Sequence, residues 1–285
     1  METLYFGQIR AYFGTILSGF YGLMLYLAGP MDPKIEWVFA GILMFVIGIP
    51  HGAGDHLVVK KWREAQGMPF SIVRFMVLYL GVMVLYALLW YFLPALSFIL
   101  FILISVFHFG DLEEKESGDD SFRSLLRKLS VGTGILGWIL YFHDEEVKLI
   151  VGGAIGTLPA QVPNYLPFVF GACLMIGFRR SEIKRFSNTF LCLLIGCFLP
   201  VIPAFVCYFA GCHAVYSMQD MSLHLGIRTK NLLIKLLPFS CLAFLLGFLY
   251  LKFLGSTQAI FHSFVFLSLL TMPHFWLMHH FVKKK

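Results

Sequence analysis

The chain has 285 residues, of which 59% are hydrophobic and only 13% charged, with a formal net charge of +6. A soluble domain carries roughly 25% charged residues, so this composition excludes an ordinary water-soluble fold. The basic residues fall in short clusters between apolar runs, a pattern that sets membrane topology rather than one that tracks nucleic-acid phosphate.

Apolar runs between charged or Pro/Gly breaks predict an all-α, polytopic transmembrane helical bundle of about ten spans (8–10), each near the roughly 20 residues that cross a bilayer. In chain order they fall at 11–29, 37–57, 70–92, 95–111, 124–142, 158–178, 187–201, 203–224, 232–253 and 258–281. The stretch 147–178 contains Gly152, Gly153, Gly156, Pro159, Pro163 and Pro167, which leaves room for a short or re-entrant helix before one full crossing. The run 187–201 is short and ends at Pro200 and Pro203, so it is expected to pair with its successor as a tight hairpin.

Basic clusters follow alternate spans: Arg10, Lys60-Lys61-Arg63, Arg123 with Arg127-Lys128, Arg179-Arg180-Lys184-Arg185, Arg228-Lys230-Lys235 and Lys283-Lys284-Lys285. The intervening loops are poor in Lys and Arg. The alternation predicts both termini in the cytoplasm and a multi-pass protein of the inner (cytoplasmic) membrane, with one integral-membrane domain over 1–285. No cleavable signal peptide is convincing, because the first apolar run is long and lacks a small-residue cleavage site. The six cysteines show neither a CxxC pair nor an extracellular disulfide pattern. Most read as small packing residues; Cys212, beside His213, is a candidate pocket residue.

The ten histidines carry the functional signal. With this topology His51, His108, His213 and His274 lie on even-numbered spans at similar depth toward the cytoplasmic side. His56, His224, His279 and His280 sit nearer that surface, and His143 and His262 belong to the opposite side. Ionisable residues inside a membrane are costly, and neutral imidazole is the commonest protein ligand for Zn, Fe and Cu. A liganding imidazole also needs a partner that fixes its tautomer. Asp55 is four residues after His51 and Asp111 three after His108, so each is a candidate orienting group or alternative ligand. Gly52, Gly54 and Gly110 permit close helix approach, and Pro273 can tilt His274 inward. The plain readings stay beside these: one transmembrane His also serves as an interhelical hydrogen-bonding group, and Asp55 and Asp111 also suit solvated helix ends. The His279-His280 pair matches a histidine box of membrane desaturases only superficially, since the companion boxes are missing.

Four strings carry a resemblance. They are Gly48-Ile49-Pro50-His51-Gly52-Ala53-Gly54-Asp55, Ile104-Ser105-Val106-Phe107-His108-Phe109-Gly110, Tyr208-Phe209-Ala210-Gly211-Cys212-His213 and Leu270-Thr271-Met272-Pro273-His274. In order, spacing and helical setting they resemble the bacteriorhodopsin-related-protein (Brp/Blh) family of membrane β-carotene 15,15′-dioxygenases over nearly the whole chain. The resemblance implies a non-haem Fe(II) enzyme that uses O₂ to split the central double bond of β-carotene into two retinals. It also implies iron ligation at His51, His108 and His213. The family tends to place a further histidine four residues after the one matching His213, in an H-S-x-x-H string; this chain has His213-Ala214-Val215-Tyr216-Ser217. Three outcomes stand open: His274 completes a four-histidine set, three histidines leave an open position, or metal binds weakly and the task differs.

The expected substrate is a lipophilic carotenoid drawn from the bilayer, reaching the metal through a tunnel between aromatic-rich helices. Tyr208, Cys212 and Tyr216 are candidate pocket residues. O₂ and membrane lipid are the other expected partners. A second class is a non-cleaving carotenoid- or retinal-binding membrane protein with a degenerate metal site, favoured by Ser217. A third, a proton-relaying transporter, lacks the internal repeat and paired broken helices such folds use.

Overall fold

The computed structural model describes residues 12–113, 122–156, 162–177, 182–254 and 259–281. Every regular element among them is helical. Among the described residues, seven helical runs are long and apolar enough to cross a membrane: Pro33–Ala65, Ile72–Phe92, Pro94–Asp111, Phe122–Phe142, Val201–Leu225, Thr229–Phe253 and Ala259–Leu277. Phe13–Ala28 and Leu166–Ile176 are apolar but shorter. At about 1.5 Å per residue, the 11-residue Leu166–Ile176 helix spans about 16 Å, half a hydrocarbon core. Where a short helix and one full crossing are expected over 147–178, the described residues hold two short helices, Asp144–Ile155 and Leu166–Ile176. Arg10, Arg179, Arg180, the three terminal lysines and Pro159 lie outside the described residues, as do the side chains of His279 and His280.

Helix starts follow local chemistry. Pro33 occupies the first turn of its helix while the Asp32 carboxylate accepts from Lys34 N at 2.8 Å. The Ser71 hydroxyl caps Ile72–Phe92 by accepting from Arg74 N at 3.3 Å.

The packing resolves into two compact units. The first draws on Met1–Gly48, Val106–Val147 and Pro159–Ser217. Here Phe13–Ala28 packs on Ile183–Gly196 and Val201–Tyr208, and Phe122–Phe142 packs on Leu166–Ile176. The Asn188 side chain clamps Thr15, accepting from its N at 2.9 Å and from its Oγ1 at 3.0 Å. Gly110 and Gly132 bring two backbones into contact. A Cβ at Gly110 would stand 1.8 Å from the Lys128 carbonyl oxygen, and one at Gly132 would stand 1.7 Å from that of Val106. Only a residue without a side chain fits either place.

The second unit draws on Ile49–Ser105, Lys148–Leu158 and Met218–Lys285. Ala259–Phe281 packs against Ile72–Phe92, Asp55–Ala65 and Thr229–Leu254. Its core gathers Val58, Met218, Met221, Leu232 and Leu236. Trp90 Nε1 donates to Ser268 Oγ at 2.8 Å, a polar tie that costs little in hydrocarbon because both groups are satisfied.

Two stretches are π-helical, Met44–Gly48 and Phe209–Ala214, and both belong to the first unit, where they pack together. His213 lies inside the second, and His51 begins three residues beyond the first. Single π turns that interrupt α-helices are frequent at functional sites.

Candidate functional site

In the first unit His108 and His213 face each other, their Nε2 atoms 3.2 Å apart and their ring centroids 4.8 Å apart. His213 has no solvent exposure and His108 only 8%. The π segment sets His213 against an aromatic wall: the Phe109 ring centroid is 4.6 Å away, and Phe209 stacks on the imidazole at 5.5 Å. Two imidazole nitrogens each about 2.0–2.1 Å from one ion, the spacing seen with zinc, stand about 2.8–3.4 Å apart across the octahedral to tetrahedral range of angles. The observed 3.2 Å fits a pair of ligands on a shared cation.

In the second unit His51 and His274 make the other pair, edge to face with centroids 4.9 Å apart and 89° between planes. His274 Nδ1 lies 2.7 Å from Asp55 Oδ1, and both residues are buried. With Nδ1–H donating to the carboxylate, Nε2 keeps its lone pair for a metal, the usual carboxylate–histidine arrangement around bound ions. The spacing in sequence aligned Asp55 with His51, but the fold hands it to a histidine 219 positions away. The reason is local: the Ile49–Ala53 helix stops, and Asp55 opens a new helix after Gly54. A Cβ at Gly54 would meet Met221 Sδ at 2.2 Å, whereas one at Gly52 would make only ordinary contact with the His274 ring at 3.8 Å.

Asp111 sits near His108 in sequence, yet its carboxylate is 3.3 Å from Lys128 Nζ, whose side chain is 8% exposed. A nearly buried ammonium needs a counter-ion, and Asp111 supplies it. Ser217 is buried, four residues beyond His213 where the helix has returned from π to α. Tyr208 is fully buried with its ring 5.5 Å from Phe109. The Tyr216 hydroxyl accepts from Asn188 Nδ2 at 2.7 Å, and the Arg185 guanidinium lies 4.3 Å above its ring. Cys212 Sγ accepts from the same amide at 3.3 Å. Tyr216 and Cys212 thus belong to a buried polar network centred on Asn188, which braces the turn carrying His213. Nothing in the sequence singled out Asn188, which lies between Ser187 and Thr189 in the polar first half of Ile183–Gly196.

The other histidines have different company. His143 places Nδ1 at 2.7 Å from Ile139 O and Nε2 at 2.9 Å from Leu199 O. His56 packs between Phe75 and Phe239, with Nδ1 at 2.9 Å from Ala53 O. His262 lies 3.4 Å from the Tyr250 hydroxyl.

The donor set of each unit is thus a pair of buried imidazoles, one pair with a carboxylate behind it. Imidazole suits Zn, Cu, Fe and Ni, so the residues fit a transition metal without selecting iron on their own.

The chain shares 24% identity over 255 residues with a β-carotene 15,15′-dioxygenase of uncultured marine bacterium 66A03, covering 84% of this chain and 91% of that relative. No solved structure matches it. The family model for β-carotene 15,15′-dioxygenase matches residues 42–282, a stretch that contains all four paired histidines, and the chain belongs to that family of enzymes.

Proposed function

We propose that the protein cleaves the central double bond of β-carotene, or of a related carotenoid, with O₂ to give two molecules of retinal. Fe(II) is held by His51, His108, His213 and His274, with His274 in the position that Ser217 leaves without a nitrogen. The observation that carries this reading is the 3.2 Å approach of His108 and His213 inside an aromatic wall. The Asp55–His274 pair supports the fourth ligand. Iron supplies the oxygen chemistry; the protein's own contribution is ligand geometry, substrate register and the exclusion of water. Phe109 and Phe209 keep His213 dry, Asp55 fixes the His274 tautomer, and the Asn188 network holds the π turn in place. The whole chain acts as one catalytic domain, with about ten spans (8–10) and both termini in the cytoplasm of a cell whose inner membrane delivers the carotenoid laterally.

Membranes carrying the protein should contain iron in proportion to it and release retinal from β-carotene under air. A His51→Ala, His108→Ala double variant should lose both; normal iron and retinal in that variant would refute the ligand set.

Ser217 favours one other reading, a carotenoid- or retinal-binding protein that does not cleave. It predicts purified protein that retains pigment and yields no product with Fe(II) and O₂, and that gains activity on Ser217→His. Under the leading reading, Ser217→His instead restores iron to a His274→Ala variant.

A further inference from the structure

The metal ligands leave unexplained a pocket of about 340 Å³ in the second unit, lined by residues of Asp55–Ala65, Ile72–Phe92 and Ala259–Phe281 and the segment between the first two. One wall is a helical face, Phe75, Leu78, Tyr79 and Val82, at i, i+3, i+4 and i+7. Pro273 and Trp276 form the facing wall. The pocket backs onto the site: Pro273 immediately precedes His274, and the Tyr79 hydroxyl donates to Leu270 O, one turn before His274, at 3.3 Å. It opens sideways through apolar groups, since Leu78 is 63% exposed and Trp276 57%. A lipophile can therefore enter from hydrocarbon without crossing water.

The other end is polar and basic. Arg63, Ser71 and Arg74 line it, and no carboxylate does. Arg63 Nε is anchored on Pro69 O at 2.7 Å, which leaves the outer guanidinium nitrogens as fixed donors. The volume falls at the lower end of the roughly 300–1,000 Å³ of small-molecule sites, enough for one arm of a carotenoid rather than the whole molecule.

From this pocket we infer that the protein takes carotenoids whose end ring carries an oxygen acceptor, a keto or hydroxyl group, seated against Arg63, Ser71 and Arg74. The polyene then runs between Phe75 and Trp276 toward His274. An unsubstituted ring fits the apolar walls but leaves the arginine donors to water. The inference rests on the proposed function for the direction of the polyene, and its binding readout does not depend on cleavage.

The test uses the full-length protein in nanodiscs of neutral lipid. Anaerobic binding of β-carotene and of its diketo counterpart, with a keto group on each ring, is followed by absorption, and kcat/KM for both is measured under air. One hydrogen bond to a charged donor predicts about tenfold tighter binding of the diketo compound. Arg63→Gln with Arg74→Gln should bring that ratio to about one. Leu78→Trp, on an exposed helix face, should reduce binding of both pigments by filling the pocket. Equal binding by the unaltered protein, or a preference that survives the double substitution, overturns the inference. So does displacement of both pigments alike by phosphatidylglycerol, which would assign the pocket to an anionic lipid. Preferential binding without any cleavage would keep the inference and sink the proposed function.

Discussion

An aspartate in a membrane helix must be satisfied, and the partner it finds determines what it does. Asp55 accepts from His274 and so converts a neutral imidazole of either tautomer into one that presents Nε2. Removing the charge while keeping the shape isolates this role. Asp55→Asn should weaken iron retention about 10- to 100-fold, the usual cost of losing a group that orients a liganding histidine. Iron content after dialysis against graded chelator measures it, and retention equal to that of the unaltered protein would show that His274 is held some other way. Asp111, three residues after His108, has a different neighbour. Its carboxylate stands 3.3 Å from the nearly buried Lys128 ammonium. Sequence gave both aspartates the same weight because it shows spacing along one helix and nothing of the neighbouring one.

At the scale of elements, the helices were legible from apolar runs, but two features were not. The π segments Met44–Gly48 and Phe209–Ala214 leave no periodic trace that separates them from α-helix in five or six residues. They matter because each changes the angular relation between residues before and after it, so His213 and Ser217 lie across a change of helical pitch. The second feature is which glycines are sterically required. Gly110→Ala drives a methyl into the Lys128 carbonyl and should cost about 1–3 kcal/mol or more, because backbone must move. Gly52→Ala meets only an ordinary contact and should be neutral or slightly stabilising, since alanine is the better helix former by about 1 kcal/mol. Thermal unfolding of the two variants in the same detergent compares them; equal loss in both would contradict the backbone contact at Gly110.

For the molecule as a whole, composition and the alternation of basic clusters determined a multi-pass helical protein, because hydrocarbon tolerates only helices or closed barrels and positive loops stay on one side. The topology makes a prediction of its own. Reporter fusions after Lys61 and at Lys285 should read as cytoplasmic, and one after Asp144 as external; a cytoplasmic signal from the Asp144 fusion would break the alternation. Sequence by itself also determined the family, since four histidine strings in fixed order survive without any fold being known. It singled out His51, His108, His213 and His274 on depth, and the structure buries all four. Only the tertiary structure decided who stands beside whom: His108 with His213, His51 with His274, Asp55 behind His274 and Asp111 beside Lys128. The physical reason is that hydropathy and charge record how far each residue lies along the membrane normal. Lateral neighbours are fixed by which helix faces interlock, and that depends on glycine contacts, π turns and polar clamps such as Asn188 that no linear spacing encodes.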